Sequence, residues 1–196
     1  MAAPLHSTDP LVARSSAAYL RRLIDYAPKL AISDIVIPCV DHSSLHTGED
    51  TARFVAALEP VLDDADRNCV NLSLETDLDP ERFVRLLDRF SSPRVTVNYD
   101  TGNSASHGYD PREELAAYGG KISAIHIKDR VNGGGSVVLG TGNTDFDAFF
   151  DALGLLEYQG FFILEAYRDD EGVGIFGRQL DWIRPYIQAY GARFRQ

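Results

Sequence analysis

The feature that most constrains this chain is a rhythm. Short runs rich in β-branched and aromatic residues alternate with longer amphipathic ones at intervals of roughly 25 to 40 residues. The strand-like runs are DIVIPCV at 34–40, VNLSLE at 70–75, VTVNYD at 95–100, ISAIHIK at 122–128 and FFILEAY at 161–167. Helix-like runs separate them. Asp9 or Ser16 is placed to cap the first, and a second spans 49–66 with an interruption at Pro60. Asp79-Pro80 and Asp110-Pro111 each offer an N-cap followed by the proline that a first helical position tolerates. Gly119-Gly120 stops the helix that Pro111 opens, Asp145 starts one to about residue 156, and the last spans 179–190 with a bend or break at Pro185. Strand, helix, strand at this spacing is a βα series, which requires parallel strands joined by helical crossovers.

The faces of the strands narrow the class further. Side chains alternate along a strand, so Val70, Leu72 and Leu74 oppose Asn71, Ser73 and Glu75, and Val95, Val97 and Tyr99 oppose Thr96, Asn98 and Asp100. A parallel sheet covered on both sides by helices should be apolar on both faces. Here one face is polar, as expected of a barrel whose apolar face meets outer helices while its polar face lines a small interior. Each polar row ends in an ionisable group at or near the C-terminal end of its strand, where barrels and open α/β sheets place their chemistry.

Composition bounds what that chemistry serves. A chain of 196 residues, 44% hydrophobic and 24% charged, suits one soluble domain, 1–196, with a real core. Nineteen basic against 29 acidic residues give a formal charge of -10, which repels a phosphate backbone and argues against nucleic-acid binding. No apolar run approaches the ~20 residues of a membrane span, and MAAPLHSTDP lacks the charged and apolar regions of a secretory signal. Cys39 and Cys69 are too far apart for a CxxC motif and read as buried free thiols. The expected compartment is the cytoplasm.

Glu75, Asp100, His126 and Glu165 share one structural address on four successive strands. Any one alone reads as a solvated strand end or a helix cap. Three carboxylates and an imidazole at one rim instead form a site for one divalent cation, Mn²⁺, Mg²⁺, Co²⁺ or Zn²⁺, which relieves the repulsion among the acids. Lys128 lies on the same inward face as His126, placed for substrate oxygens or for an acid partner. Asp129 either orients the site or caps its own loop. Arg168 is placed for a phosphate or carboxylate, or for solvent. His42 and His46, in DHSSLH after the first strand, stand at the same rim. The glycines of NGGGSVVLGTGN match neither a P-loop nor a dinucleotide fingerprint and read mainly as a turn that delivers Asp145 to its cap, with a cradle of backbone N–H groups for an anion as the alternative. The stretch TGNSASHGYD after Asp100 reads as a loop.

The strings LSLET at 72–76, NYDTGN at 98–103, AIHIKDR at 124–130, LGTGNTDF at 139–146 and ILEAYR at 163–168 resemble the last four strands of the sugar phosphate isomerase/epimerase family, among the xylose isomerase-like (AP endonuclease family 2) TIM barrels. The resemblance implies an incomplete TIM barrel, its five strands corresponding to strands four to eight with outer helices. It assigns the single metal to Glu75, Asp100, His126 and Glu165, with Glu75 and Glu165 as the acid/base pair on opposite faces of a sugar or sugar phosphate. The implied reaction is isomerisation or epimerisation by proton abstraction α to a carbonyl through an enediolate. Lys128, Arg168, His42 and Asn103 are weaker candidates for substrate contact.

A complete barrel of this class has eight βα units in about 250 residues. The chain begins in what resembles the third helix, which leaves an opened barrel side expected either to self-associate or to collapse so that the five strands close more tightly. Three functional alternatives stand beside the isomerase. A degenerate fragment would bind metal or sugar without catalysis. A nuclease of the endonuclease IV type would need more than 5 histidines and a histidine where Asn103 stands. Dehydratase or hydroxypyruvate isomerase activity fits the same ligands.

Overall fold

The computed structural model describes residues 4–193, so the first three residues of the decapeptide read for a leader lie outside it. The chain divides into two units, Met1–Asn98 and Tyr99–Gln196. The first unit runs α1 (Pro10–Tyr26), a 3-10 turn (Ala27–Leu30), β1 (Asp34–Cys39), α2 (Gly48–Leu58), α3 (Leu62–Asn68), β2 (Asn71–Thr76), α4 (Pro80–Leu87) and β3 (Val95–Asp100), which crosses the boundary. The second runs α5 (Thr101–His107), α6 (Pro111–Tyr118), β4 (Ile122–Ile127), β5 (Asp129–Arg130), β6 (Ser136–Val137), α7 (Phe146–Leu153), β7 (Phe162–Leu164) and α8 (Val173–Ala192). The main strands follow the order β1-β2-β3-β4-β7, and β5 and β6 form a separate ribbon.

In the first unit, local chemistry decides where helices begin. The Asp9 side chain accepts from Leu11 N, so Asp9 rather than Ser16 caps α1. Thr47 and Asp50 form a reciprocal capping box at α2. β1 pairs in parallel with β2, Asp34 opposite Asn71, and β2 with β3, Leu72 opposite Val95. Leu72, Leu74 and Val97 are fully buried with Phe54, Leu58, Val61 and Ala65. Each of the larger side chains contributes roughly 1.5–3 kcal/mol by leaving water. The N-terminal part of the polar face carries its own ladder. Asp34 Oδ1 accepts from Asn71 Nδ2 and Ser73 Oγ, both at 3.0 Å, and Ser73 Oγ meets Thr96 Oγ1 at 3.0 Å.

In the second unit β4 pairs in parallel with β7, Ile125 opposite Phe162 and Ile127 opposite Leu164. The core is largely aromatic: Tyr99 stacks on Phe149 at 5.4 Å, and Phe150 meets Tyr186 at 5.4 Å. Four expectations change. Residues 101–107 are not a loop but α5, because Asp100 caps them and Gly108, at φ +72°, closes them in the left-handed region. β7 ends at Leu164 because the backbone N and O of Tyr167 are taken by the buried Gln179 side chain. α8 starts at Val173 and runs through Pro185. The proline removes one helical hydrogen bond, but Trp182 before it and Tyr186 after it pack on Phe146, which holds the helix together. Back in the first unit, Cys39 is buried as expected, but Cys69 is exposed, because it is the left-handed residue that ends α3.

Candidate functional site

Four of the candidate residues meet within the second unit, each for a local reason. Asp100 ends β3, and its Oδ1 accepts from Gly102 N at 2.9 Å and Asn103 N at 2.8 Å. The helix-cap reading and the site reading therefore apply to the same carboxylate. His126 belongs to β4, and Thr101 Oγ1 accepts from Lys128 N at 2.9 Å and donates to Lys128 O at 2.6 Å just beyond it. Glu165 N donates to Ile127 O at 3.0 Å, extending the β4–β7 ladder one residue past the strand.

These backbone contacts bring the side chains together. His126 Nδ1 lies 3.2 Å from Glu165 Oε2, and Lys128 Nζ lies 3.0 Å from Glu165 Oε1 and 3.5 Å from Asp100 Oδ2. Asp100 and His126 present ligand atoms within 4.8 Å of one another. The hydrogen bond from His126, with the charge and hydrogen bond of Lys128, holds the Glu165 carboxyl down to about 2 against the opposing effect of partial burial. Carboxylate oxygens with one imidazole nitrogen are the donor set of a hard or borderline divalent cation, and Asp100 and His126 lie close enough to share one, while Glu165 stands against His126 and Lys128. Beside them opens a cavity of about 510 Å³ whose lining includes Lys128, Ser136, Glu165, Tyr167, Arg168 and Phe176.

The remaining candidates separate. Asp129 is buried, accepting from Gly140 N and Gly142 N through Oδ2 and from Thr144 N through Oδ1, so it fastens the 139–144 loop. In the first unit Glu75 is buried near the end of β2, where Asn98 Nδ2 donates to its Oε2 at 2.9 Å. His42 and His46 are exposed.

Residues 1–186 match the family model described as xylose isomerase-like TIM barrel. The chain belongs to that family.

An L-ribulose 3-epimerase of Methylomonas sp. (strain DH-1) is 27% identical over 84% of this chain and 60% of its own length, so the chain spans less than two thirds of that relative. The L-ribulose-5-phosphate 3-epimerase UlaE of Salmonella paratyphi A is 26% identical over 96% of this chain and 69% of the relative. Among solved structures, D-allulose 3-epimerase from Methylomonas sp. in complex with D-allulose superposes with a TM-score of 0.74 at 21% identity, covering 94% of this chain and 73% of that one. The α/β architecture with five parallel strands is that of the TIM-barrel family to which the sequence strings pointed.

Sequence reasoning missed Arg130. Its Nη1 donates to Asn103 Oδ1 at 2.8 Å, while Nε and Nη2 donate to Gly134 O, tying α5 to the β5–β6 ribbon. The alternation of His126, Lys128 and Arg130 pointed to it, but the strand reading stopped at 128. Among the described residues no helix is long and apolar enough to cross a membrane.

Proposed function

We propose that the chain is a divalent-metal-dependent sugar epimerase or isomerase, acting on a ketose or ketose phosphate by proton transfer at a carbon α to a carbonyl. The observation that carries this reading is the meeting of Asp100, His126 and Glu165 at strand ends, beside an open cavity, in a family whose matched relatives are named as 3-epimerases of ketoses. Asp100, His126 and Glu165 would hold one divalent cation, with Glu75 as the fourth ligand. Strand periodicity supports Glu75: its donor Asn98 and the ligand Asp100 stand two residues apart on β3 and share a face. When bound, the cation supplies Lewis-acid stabilisation of the negative charge that develops on the sugar oxygens.

The chain's own groups do the rest. Glu165 is half-exposed at the cavity wall and takes the proton from carbon. Glu75 returns a proton from the opposite face to give an epimer; return to the neighbouring carbon gives an isomer. Arg168, exposed in the same lining, offers a cation to a hydroxyl or phosphate.

The test measures metal content of the purified chain together with solvent deuterium uptake into L-ribulose and L-ribulose 5-phosphate, in wild type, Glu165→Gln and His126→Ala. Bound metal and exchange in wild type, both diminished in the variants, support the reading. A metal-free wild type, or variants that bind as well as wild type, overturn it. A second reading is metal or sugar binding by this chain without turnover. Tight metal binding with no exchange on either sugar would select it.

A further inference from the structure

Asp100 has one carboxylate oxygen to offer a cation. Its Oδ1 is committed to the N–H groups of Gly102 and Asn103, where the first turn of α5 requires an acceptor. The other oxygen, Oδ2, faces Lys128 Nζ at 3.5 Å, and the same ammonium donates to Glu165 Oε1 at 3.0 Å. Two of the three groups proposed as ligands in this unit are thus in contact with one lysine.

Lys128 is built into this position. Its side chain is only 15% exposed, its backbone N and O are both bound by Thr101 Oγ1, and its stem crosses Gly102. A Cβ on Gly102 would lie 2.7 Å from Lys128 Cγ, so the lysine needs a glycine there. A solvated lysine side chain would be neither buried to this extent nor pressed against a glycine. The cavity lined by Ser136, Tyr167 and Arg168 also includes Lys128 in its wall, which gives the ammonium a second place to go.

We propose that Lys128 and the divalent cation compete for the same oxygens of Asp100 and Glu165. The ammonium relieves the repulsion between the two acids, and it turns into the cavity when the metal takes them. The inference rests on the metal-site reading above. A monovalent and a divalent cation about 5 Å apart repel strongly enough, even near the dielectric of water, to weaken binding on the order of tenfold. The four-carbon stem of lysine permits the movement, which a guanidinium fork held at both ends would resist.

The experiment titrates Mn²⁺ into the full chain by calorimetry, comparing wild type with Lys128→Met, which keeps most of the stem and removes the charge. It also follows acylation of the Lys128 amine in wild type by peptide mass mapping, with and without saturating Mn²⁺, a measurement that needs no variant. Competition predicts binding roughly tenfold tighter in Lys128→Met, by the repulsion just given, and faster acylation of Lys128 once Mn²⁺ is bound. Equal or weaker affinity in the variant together with unchanged acylation in a wild type that binds Mn²⁺ overturns the competition alone. No Mn²⁺ binding by either protein overturns the metal-site reading and the competition with it.

Discussion

Glu114 is a carboxylate kept from water. It is 3% exposed on α6 and accepts from Tyr99 Oη at 2.7 Å, from Tyr118 Oη at 2.8 Å and from Ser104 Oγ. Two of these partners flank the turn that carries Asp100, so the contact joins α6 to the end of β3 and to α5. Glu114→Ala removes the acceptor of three hydroxyls. At roughly 1 to 1.5 kcal/mol for each buried hydroxyl left without it, plus the cavity, the loss is about 3–5 kcal/mol. That is a large part of the 5–15 kcal/mol typical of a whole domain. Glu114→Gln keeps the shape and one acceptor oxygen and should lose far less.

The comparison also has a pH signature. Burial raises the Glu114 carboxyl above the ordinary range, against the lowering effect of its hydrogen bonds from Ser104, Tyr99 and Tyr118. A raised folded value means that the folded chain holds the proton longer than the unfolded chain. Its stabilising contribution is therefore complete below the unfolded carboxyl's value and is lost as pH rises through the folded one. Urea unfolding of wild type, Glu114→Ala and Glu114→Gln between pH 4 and 8, followed by circular dichroism and tyrosine fluorescence, measures both effects. Wild type should lose stability relative to Glu114→Gln as pH rises. An alanine variant weakened by less than about 1 kcal/mol, or a wild-type advantage that is flat or grows with pH, would refute the reasoning.

Three further outcomes are expected. A thiol reagent should modify exposed Cys69 quickly and Cys39 only on unfolding, because Cys39 is 1% exposed and its thiol is pushed up by burial and by the nearby Asp77 and Glu75; comparable rates in the folded chain would contradict this. Asp129→Asn should speed amide exchange at Gly140, Gly142 and Thr144, which lose a charged acceptor, and should cost about 1–3 kcal/mol. Unchanged exchange at those three amides would show that the loop holds itself. The depressed Glu165 carboxyl contributes stability that is present above the ordinary glutamate range and lost as pH falls toward about 2, so Glu165→Gln should flatten that acid limb. An identical limb in the variant would place the titration elsewhere.

Much of this was legible along the chain. Asp79, Asp110 and Asp145 cap helices where their sequence neighbours said they would, because a cap needs only the N–H groups two or three residues ahead. The alternation of Leu72 and Leu74 with Ser73 and Glu75 identified the two faces of β2 without coordinates, since it depends only on the pleat. The reading failed where a partner was distant. Nothing in FFILEAY shows that Gln179 takes the backbone of Tyr167, and nothing in the last helical run shows that aromatic packing carries α8 through Pro185.

The sequence by itself determined the parallel βα series, the polar strand face and the residue types at the strand ends, since each rests on period and on near neighbours. Tertiary structure alone decided how those residues are used. It split the two oxygens of Asp100 between a helix cap and Lys128, set His126 against Glu165, and turned Asp129 away to fasten a loop. Those choices depend on atoms brought together from across the second unit, and a hydrogen bond or ion pair is decided within a few tenths of an ångström, a precision that only packing supplies.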